Sequence, residues 1–248
     1  NPPLVGQWHD RYFHDVQAVT YTQGTYIGKQ IVFACAEDNA QGGNAGLDIL
    51  DVTDKSNIEL IGSLNYSQNH YAHQGWLSPD RKYLYLGDES DEKEDPAVTT
   101  TTTRIIDVQN LSIPFEVASF TTGLPAIDHN LYTREHLIFE ANYRSGLRVF
   151  DASNPVMPVE VGYFDTYPED DDAYFNGLWS SYPFFDSGVV VGSDIEKGLF
   201  VWDVHLLYEP EACGELGTEF FSADIDRDCR VGIVDLTGLA GQWLENHC

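Results

Sequence analysis

Leu47-Asp48-Ile49-Leu50-Asp51-Val52 runs directly into Thr53-Asp54-Lys55-Ser56-Asn57. A short aliphatic run that ends in Asp and passes into polar turn formers reads as a β-strand leaving into a tight loop. The phrase returns three times, as Arg104-Ile105-Ile106-Asp107-Val108, Leu147-Arg148-Val149-Phe150-Asp151-Ala152 and Leu199-Phe200-Val201-Trp202-Asp203-Val204. Its aspartate falls at Asp51, Asp107, Asp151 and Asp203, a period of roughly 45–55 residues, which marks an internal repeat.

Three other runs accompany it. Residues 58–64, 115–120 and 159–164 follow the first three copies. Runs that open on His14, His73, His129 and Asn176 precede the four copies, and a further run lies between at residues 30–36, 83–87, 136–141 and 188–192. Four short antiparallel strands per unit describe a β-propeller blade: one such sheet cannot bury both faces, whereas a ring of them buries each face on the next. The sequence therefore predicts an all-β fold, a β-propeller with about four visible four-stranded blades over residues 1–208, and a small C-terminal module over residues 209–248. An all-β sandwich with chance repetition is the competing reading. Residues 1–8 read like the outer run of a unit, and the fourth unit lacks that run. The N-terminal strand is thus expected either to complete the last blade and close the ring, or to complete a blade of a neighbouring molecule in a head-to-tail polymer.

The composition narrows the function. With 40 acidic against 13 basic side chains, the formal net charge is −27. Such a surface repels phosphate backbones and anionic membranes, so neither nucleic acid nor membrane insertion is expected. Hydrophobic residues make up 42% of the chain, enough for a core, so the excess carboxylates must be solvated or met by cations in a salty extracellular setting. Cys35 ends the apolar run Ile31-Val32-Phe33-Ala34-Cys35 and reads as a small buried hydrophobe. Cys213, Cys229 and Cys248 crowd the C-terminal tail, which suggests a disulfide formed in an oxidising compartment, with Cys248 paired to Cys213 or Cys229.

Two constellations carry candidate chemistry. Asp224, Asp226, Asp228 and Asp235 take positions 1, 3, 5 and 12 of a calcium loop, with the Arg230 carbonyl at position 7, followed by a helix over about residues 234–246. A solvated acidic turn is the plainer reading. His14, His73 and His129, with Asn176, open the inner strands and are expected to approach a central channel, with Glu37, Asp38, Asp88, Glu89, Glu140 and Asp194 at the ends of the following strands. Converging imidazoles and carboxylates suit zinc or another transition metal, or acid–base chemistry; equally, each His can hydrogen-bond backbone groups between blades.

The chain resembles the choice-of-anchor B family, whose members carry LVIVD-type β-propeller repeats. The resemblance rests on residues 47–57, on His70-Tyr71-Ala72-His73-Gln74-Gly75-Trp76-Leu77, on Gly87-Asp88-Glu89-Ser90-Asp91-Glu92, on Ala126-Ile127-Asp128-His129-Asn130, and on residues 140–148 and 162–168. It implies a secreted or surface-attached propeller, here similar to the C-terminal part of a larger one, with no established catalytic activity. The loop at residues 224–235 resembles a single dockerin-type repeat, with Cys229 where a Gly usually stands. The expected function is non-enzymatic binding or self-assembly outside the cell, stabilised by calcium, with another copy, a surface protein or a glycan as partner. The alternative is a metal-dependent extracellular hydrolase or lyase that uses the His ring.

Overall fold

A computed structural model describes residues 1–37, 45–204 and 207. The proposed calcium loop (Asp224, Asp226, Asp228, Arg230 and Asp235), its helix and the three C-terminal cysteines lie outside the described residues.

All the strand runs expected within residues 14–204 are strands. The first sheet is β1 (Asp15–Thr20), β2 (Gln30–Ala36), β3 (Gly46–Asp51) and β4 (Glu59–Asn65). The second is β5 (Ala72–Leu77), β6 (Tyr83–Asp88), β7 (Thr103–Asp107) and β8 (Phe115–Phe120), with a one-turn helix α1 (Asp91–Glu94) between β6 and β7. The third is β9 (Asn130–Arg134), β10 (Leu137–Ala141), β11 (Leu147–Asp151) and β12 (Val159–Phe164). The last holds β13 (Leu178–Tyr182), β14 (Val189–Asp194) and β15 (Gly198–Asp203). Each sheet is an antiparallel meander in chain order, and among the described residues the last has three strands where the others have four. The fold is all-β and repetitive; among the described residues no helix is long and apolar enough to cross a membrane.

The repeated aspartate has a local cause. Asp51, Asp107 and Asp151 accept the backbone N–H two residues on, at 2.9, 2.9 and 2.7 Å. A second such turn follows at Asp54, Asn110 and Asn154. These Asx turns fix the exit from the third strand of each sheet. The outer strand then carries a β-bulge at the same place in three sheets, opposite Ile49/Leu50, Ile105/Ile106 and Val149/Phe150. The extra residue is Ile61, Val117 or Val161, and a small residue follows it, Gly62, Ala118 or Gly162.

Burial is greatest in the middle strands. All residues of β3 and β10 are buried. One core joins Ile31, Phe33, Leu47 and Ile49 to Leu77, Leu84, Leu86 and Ile106, so the first two sheets share it. A second joins Tyr85 and Ile105 to Leu131, Ile138 and Phe150, between the second and third sheets. Cys35 is a free thiol in the first core, as its run suggested. The far side of the last sheet is bare, with Leu199 70% and Val201 61% exposed.

Residues 1–9 form no strand and do not pair with β15. Their position is nonetheless specific. A Cβ on Gly6 would be driven into the Lys55 carbonyl oxygen, and a Cβ on Gly62 into the Leu111 carbonyl oxygen. Lys55 and Leu111 each lie four residues beyond the repeated aspartate, in equivalent turns. Gly6 therefore meets the first sheet as Gly62, from the outer strand of the first sheet, meets the second.

Candidate metal centre

Each inner strand is preceded by one residue at the same register position. It is His14 before β1, His129 before β9 and, across the bulges that follow Ala72 and Leu178, His73 in β5 and Trp179 in β13. Asn176, expected at this position from its polar character, lies instead in the loop ahead of β13, where it binds Arg144 and Glu196. The three imidazoles pack in a tilted row, with interplanar angles of 37° and 34°. The His14 and His73 rings are 4.1 Å apart by centroid, and those of His73 and His129 are 4.3 Å apart.

The Nδ1 atoms tie neighbouring sheets together. His14 Nδ1 lies 3.1 Å from the His73 carbonyl oxygen, and His129 Nδ1 lies 2.6 Å from that of Trp179. A carbonyl only accepts, so each Nδ1 carries the proton and donates. The inter-sheet backbone role foreseen for these histidines is present. His73 Nδ1 is buried and makes no such well-formed bond, although the His129 backbone beside it favours its protonated form.

The Nε2 atoms of His73 and His129 both face Glu89, at 3.6 Å from Oε2 and 3.4 Å from Oε1. Their donor atoms and a Glu89 oxygen all lie within 4.8 Å of one another; His14 stays outside that set. Tyr143 Oη donates to Glu89 Oε1 at 2.6 Å. Burial pushes the His73 imidazole down to about 2, aided by the neighbouring His129 and His14, and pushes His129 down to about 4 against the pull of its bond to Trp179. Burial also lifts Glu89 above its ordinary value. Both imidazoles are thus neutral at neutral pH. With Nδ1 of His129 committed to a carbonyl, its Nε2 presents a lone pair to a carboxylate. Two acceptors at that distance need a proton or a cation between them. Two imidazole nitrogens and one carboxylate, with the imidazole of His129 oriented by a backbone bond, are a donor set that suits zinc or another transition ion.

Of the other expected carboxylates, Asp38 lies outside the described residues, and Asp88, Glu140 and Asp194 have structural partners. Asp88 accepts Tyr66 Oη and the backbone N–H groups of His70 and Tyr71, at 2.7, 2.8 and 2.7 Å. Glu140 accepts Thr103 Oγ1 and Asn142 Nδ2. Asp194 accepts the N–H groups of Glu196 and Lys197. Two surface clefts lie elsewhere. One of about 640 Å³ runs along Tyr21–Tyr26, Arg81 and Gln109, and a smaller one lies by Tyr85 and His136; neither is lined by His73, Glu89 or His129.

One cluster was not legible as a site in the sequence, although Asp128 stood out beside His129. Asp91 and Glu92, in a run of charge that reads as a solvated surface, are drawn inward beside Asp128, and a carboxylate oxygen from each lies within 4.8 Å of the others. The burial of Asp91 and Glu92 depends on what packs against them, and only Asp128, next to His129, carried a local signal.

Known proteins add the following. The LVIVD repeat family matches residues 42–66 and 141–166, which span β3 with β4 and β11 with β12, in keeping with the choice-of-anchor B resemblance. No curated protein matches the chain. Among solved structures, a protein from Lactobacillus plantarum is similar with a TM-score of 0.55 and 12% identity, over 78% of this chain and 51% of that one. The chain thus spans about half the length of that structure, and at this identity the likeness concerns the fold alone. The computationally designed Ika4 protein gives a TM-score of 0.49 and 13% identity, over 82% of this chain and 98% of that one.

Proposed function

We propose that the chain is an extracellular, non-enzymatic β-propeller module that associates head to tail with further copies of itself, the N-terminal segment of one copy serving as the missing outer strand of another's last sheet. One observation carries the reading: Gly6 sits on the Lys55 turn as Gly62 sits on the Leu111 turn, so residues 3–8 hold the outer-strand position of a sheet that would precede the first. Pro3-Leu4-Val5-Gly6-Gln7-Trp8 also follows the pattern of Glu59-Leu60-Ile61-Gly62-Ser63-Leu64. Among the described residues the last sheet has three strands, and no fourth strand pairs with β15. Its bare side, at Leu199 and Val201, is the side on which the other sheets meet their successors. An open edge and a segment held in the outer-strand position with no sheet of its own are the two halves of strand addition, and a heterologous contact of this kind propagates. Calcium at Asp224, Asp226, Asp228, Arg230 and Asp235 belongs to this reading as a stabiliser, and the acidic surface and cysteine-rich tail support an extracellular setting.

Light scattering after size exclusion tests it. The full chain is expected to form oligomers whose mass rises with concentration, and Leu199→Asp with Val201→Asp is expected to return it to a monomer. A monomer at every concentration, with calcium or with EDTA, overturns the reading.

A second reading rests on the His73–Glu89–His129 donor set: a metal-dependent hydrolase or lyase in which those three residues hold a transition ion. Elemental analysis separates the two. One equivalent of transition metal, lost in His73→Ala, favours it; calcium alone counts against it.

A further inference from the structure

Asp128 ends the segment that leads into β9. It is 2% exposed, and both of its carboxylate oxygens lack a hydrogen-bond partner. Leaving a buried carboxylate bare is costly, because nothing replaces the water it has lost. It is not alone. Asp91 is fully buried with Oδ1 unpartnered, and Oε2 of Glu92 is buried and unpartnered as well. The three side chains converge, one oxygen from each within 4.8 Å of the rest. Their supports are built. Arg104 Nη2 donates to Asp91 Oδ2 at 2.9 Å, and the Thr102 N–H donates to Glu92 Oε1 at 3.1 Å. Gly87 leaves room for Asp128, since a Cβ there would be driven into Asp128 Oδ2.

One guanidinium against three carboxylates leaves a deficit of positive charge. Burial and the neighbouring Asp128 and Asp91 push Glu92 up to about 12, and burial with Asp91 and Glu140 raises Asp128 well above its ordinary value. Without a cation, the cluster folds only by taking up protons. A divalent ion would satisfy the bare oxygens instead.

We propose that Asp91, Glu92 and Asp128 form a buried site for a hard divalent cation of the calcium type, which fastens the helical turn after β6 to the segment entering β9. All the donors are oxygens, as calcium prefers, and the bare ones, both of Asp128 with Asp91 Oδ1 and Glu92 Oε2, supply part of the six to eight it takes, leaving places for water. Glu92 is the least buried of the three residues. The site shares no residue with the C-terminal loop or with the His73–Glu89–His129 set.

The test uses the full chain carrying Asp224→Ala and Asp226→Ala, which silences the C-terminal loop. After treatment with EGTA, this protein is expected to take up one calcium per chain in equilibrium dialysis and to melt at a higher temperature in calcium chloride than in EGTA. Adding Asp128→Asn or Glu92→Gln is expected to lower calcium affinity at least tenfold and to abolish the thermal shift. Glu92→Gln, at the half-buried position, decides the matter if Asp128→Asn fails to fold. No calcium uptake by the loop-silenced chain, or affinity unchanged by Glu92→Gln, overturns the proposal.

Discussion

His129 Nδ1 reaches across a sheet boundary to the carbonyl oxygen of Trp179 at 2.6 Å, and Asn130 Nδ2 reaches the same oxygen at 3.0 Å. The third sheet thus holds the fourth by its backbone, at the first turn of the inner strand.

That bond is removable without orphaning the carbonyl, because Asn130 still serves it. His129→Phe keeps the ring and is expected to cost about 1–2 kcal/mol, the range for one charged or neutral side-chain bond plus local repacking. Amide exchange should quicken first in β13. Unchanged protection of that strand would show the bond to be dispensable.

Acid should expose the same residue in another way. His129 titrates at about 4 in the fold against about 6.5 in the unfolded chain. The unfolded state therefore binds the proton more readily, and stability falls as pH drops from the unfolded value towards the folded one. Between about pH 6.5 and 4.5 the loss from His129 alone is about 2 kcal/mol. Glu140, pushed up to about 7 by burial, works with the opposite sign, so the difference between the wild-type chain and His129→Phe isolates the imidazole. Denaturant melts at the two pH values should show a flatter dependence in the variant; parallel curves would count against the depressed value.

Gly62→Ala should be costly although its backbone is an ordinary strand. The added methyl meets the Leu111 carbonyl oxygen and Pro114, so the first and second sheets must part, at about 1–3 kcal/mol. Gly6→Ala should leave the melting temperature nearly unchanged while freeing the N-terminal segment for proteolysis. Limited digestion with mass spectrometry reads both effects, and an intact N-terminus in Gly6→Ala would be the contrary result.

Arg104 is buried between Asp91 and the face of Tyr66, with its guanidinium carbon 4.4 Å from the ring centroid. Arg104→Met strands the carboxylates and should cost about 3–5 kcal/mol. Adding Asp91→Asn should return part of that loss. Additive losses in the double variant would mean that the two side chains do not depend on one another.

The strands were legible because their signals are local: alternating β-branched runs, each closed by an Asp that caps its own turn. His73 and His129 were legible as equivalent residues for the same reason, since the repeat marks their shared position, and Glu89 was visible at the end of the next strand. Other features depend on what packs against them. Trp179, on the bulge that follows Leu178, occupies the position that polarity alone suggested for Asn176, three residues earlier. The run Ser90-Asp91-Glu92-Lys93-Glu94 has the composition of a wet surface, and only the turn of α1 against Arg104 carries Asp91 inside.

The bulged outer strand has a consequence for how the repeat can vary. Its extra residue is followed by a small one, and in the first sheet that gap receives a main-chain carbonyl from the next sheet's turn. The joint is a mortise and tenon in which the tenon is backbone. It is blind to the side chain of the turn residue, which is Lys at 55, Leu at 111 and Pro at 155. A unit jointed in this way can change the face it shows to the outside while keeping the same fit to its neighbour.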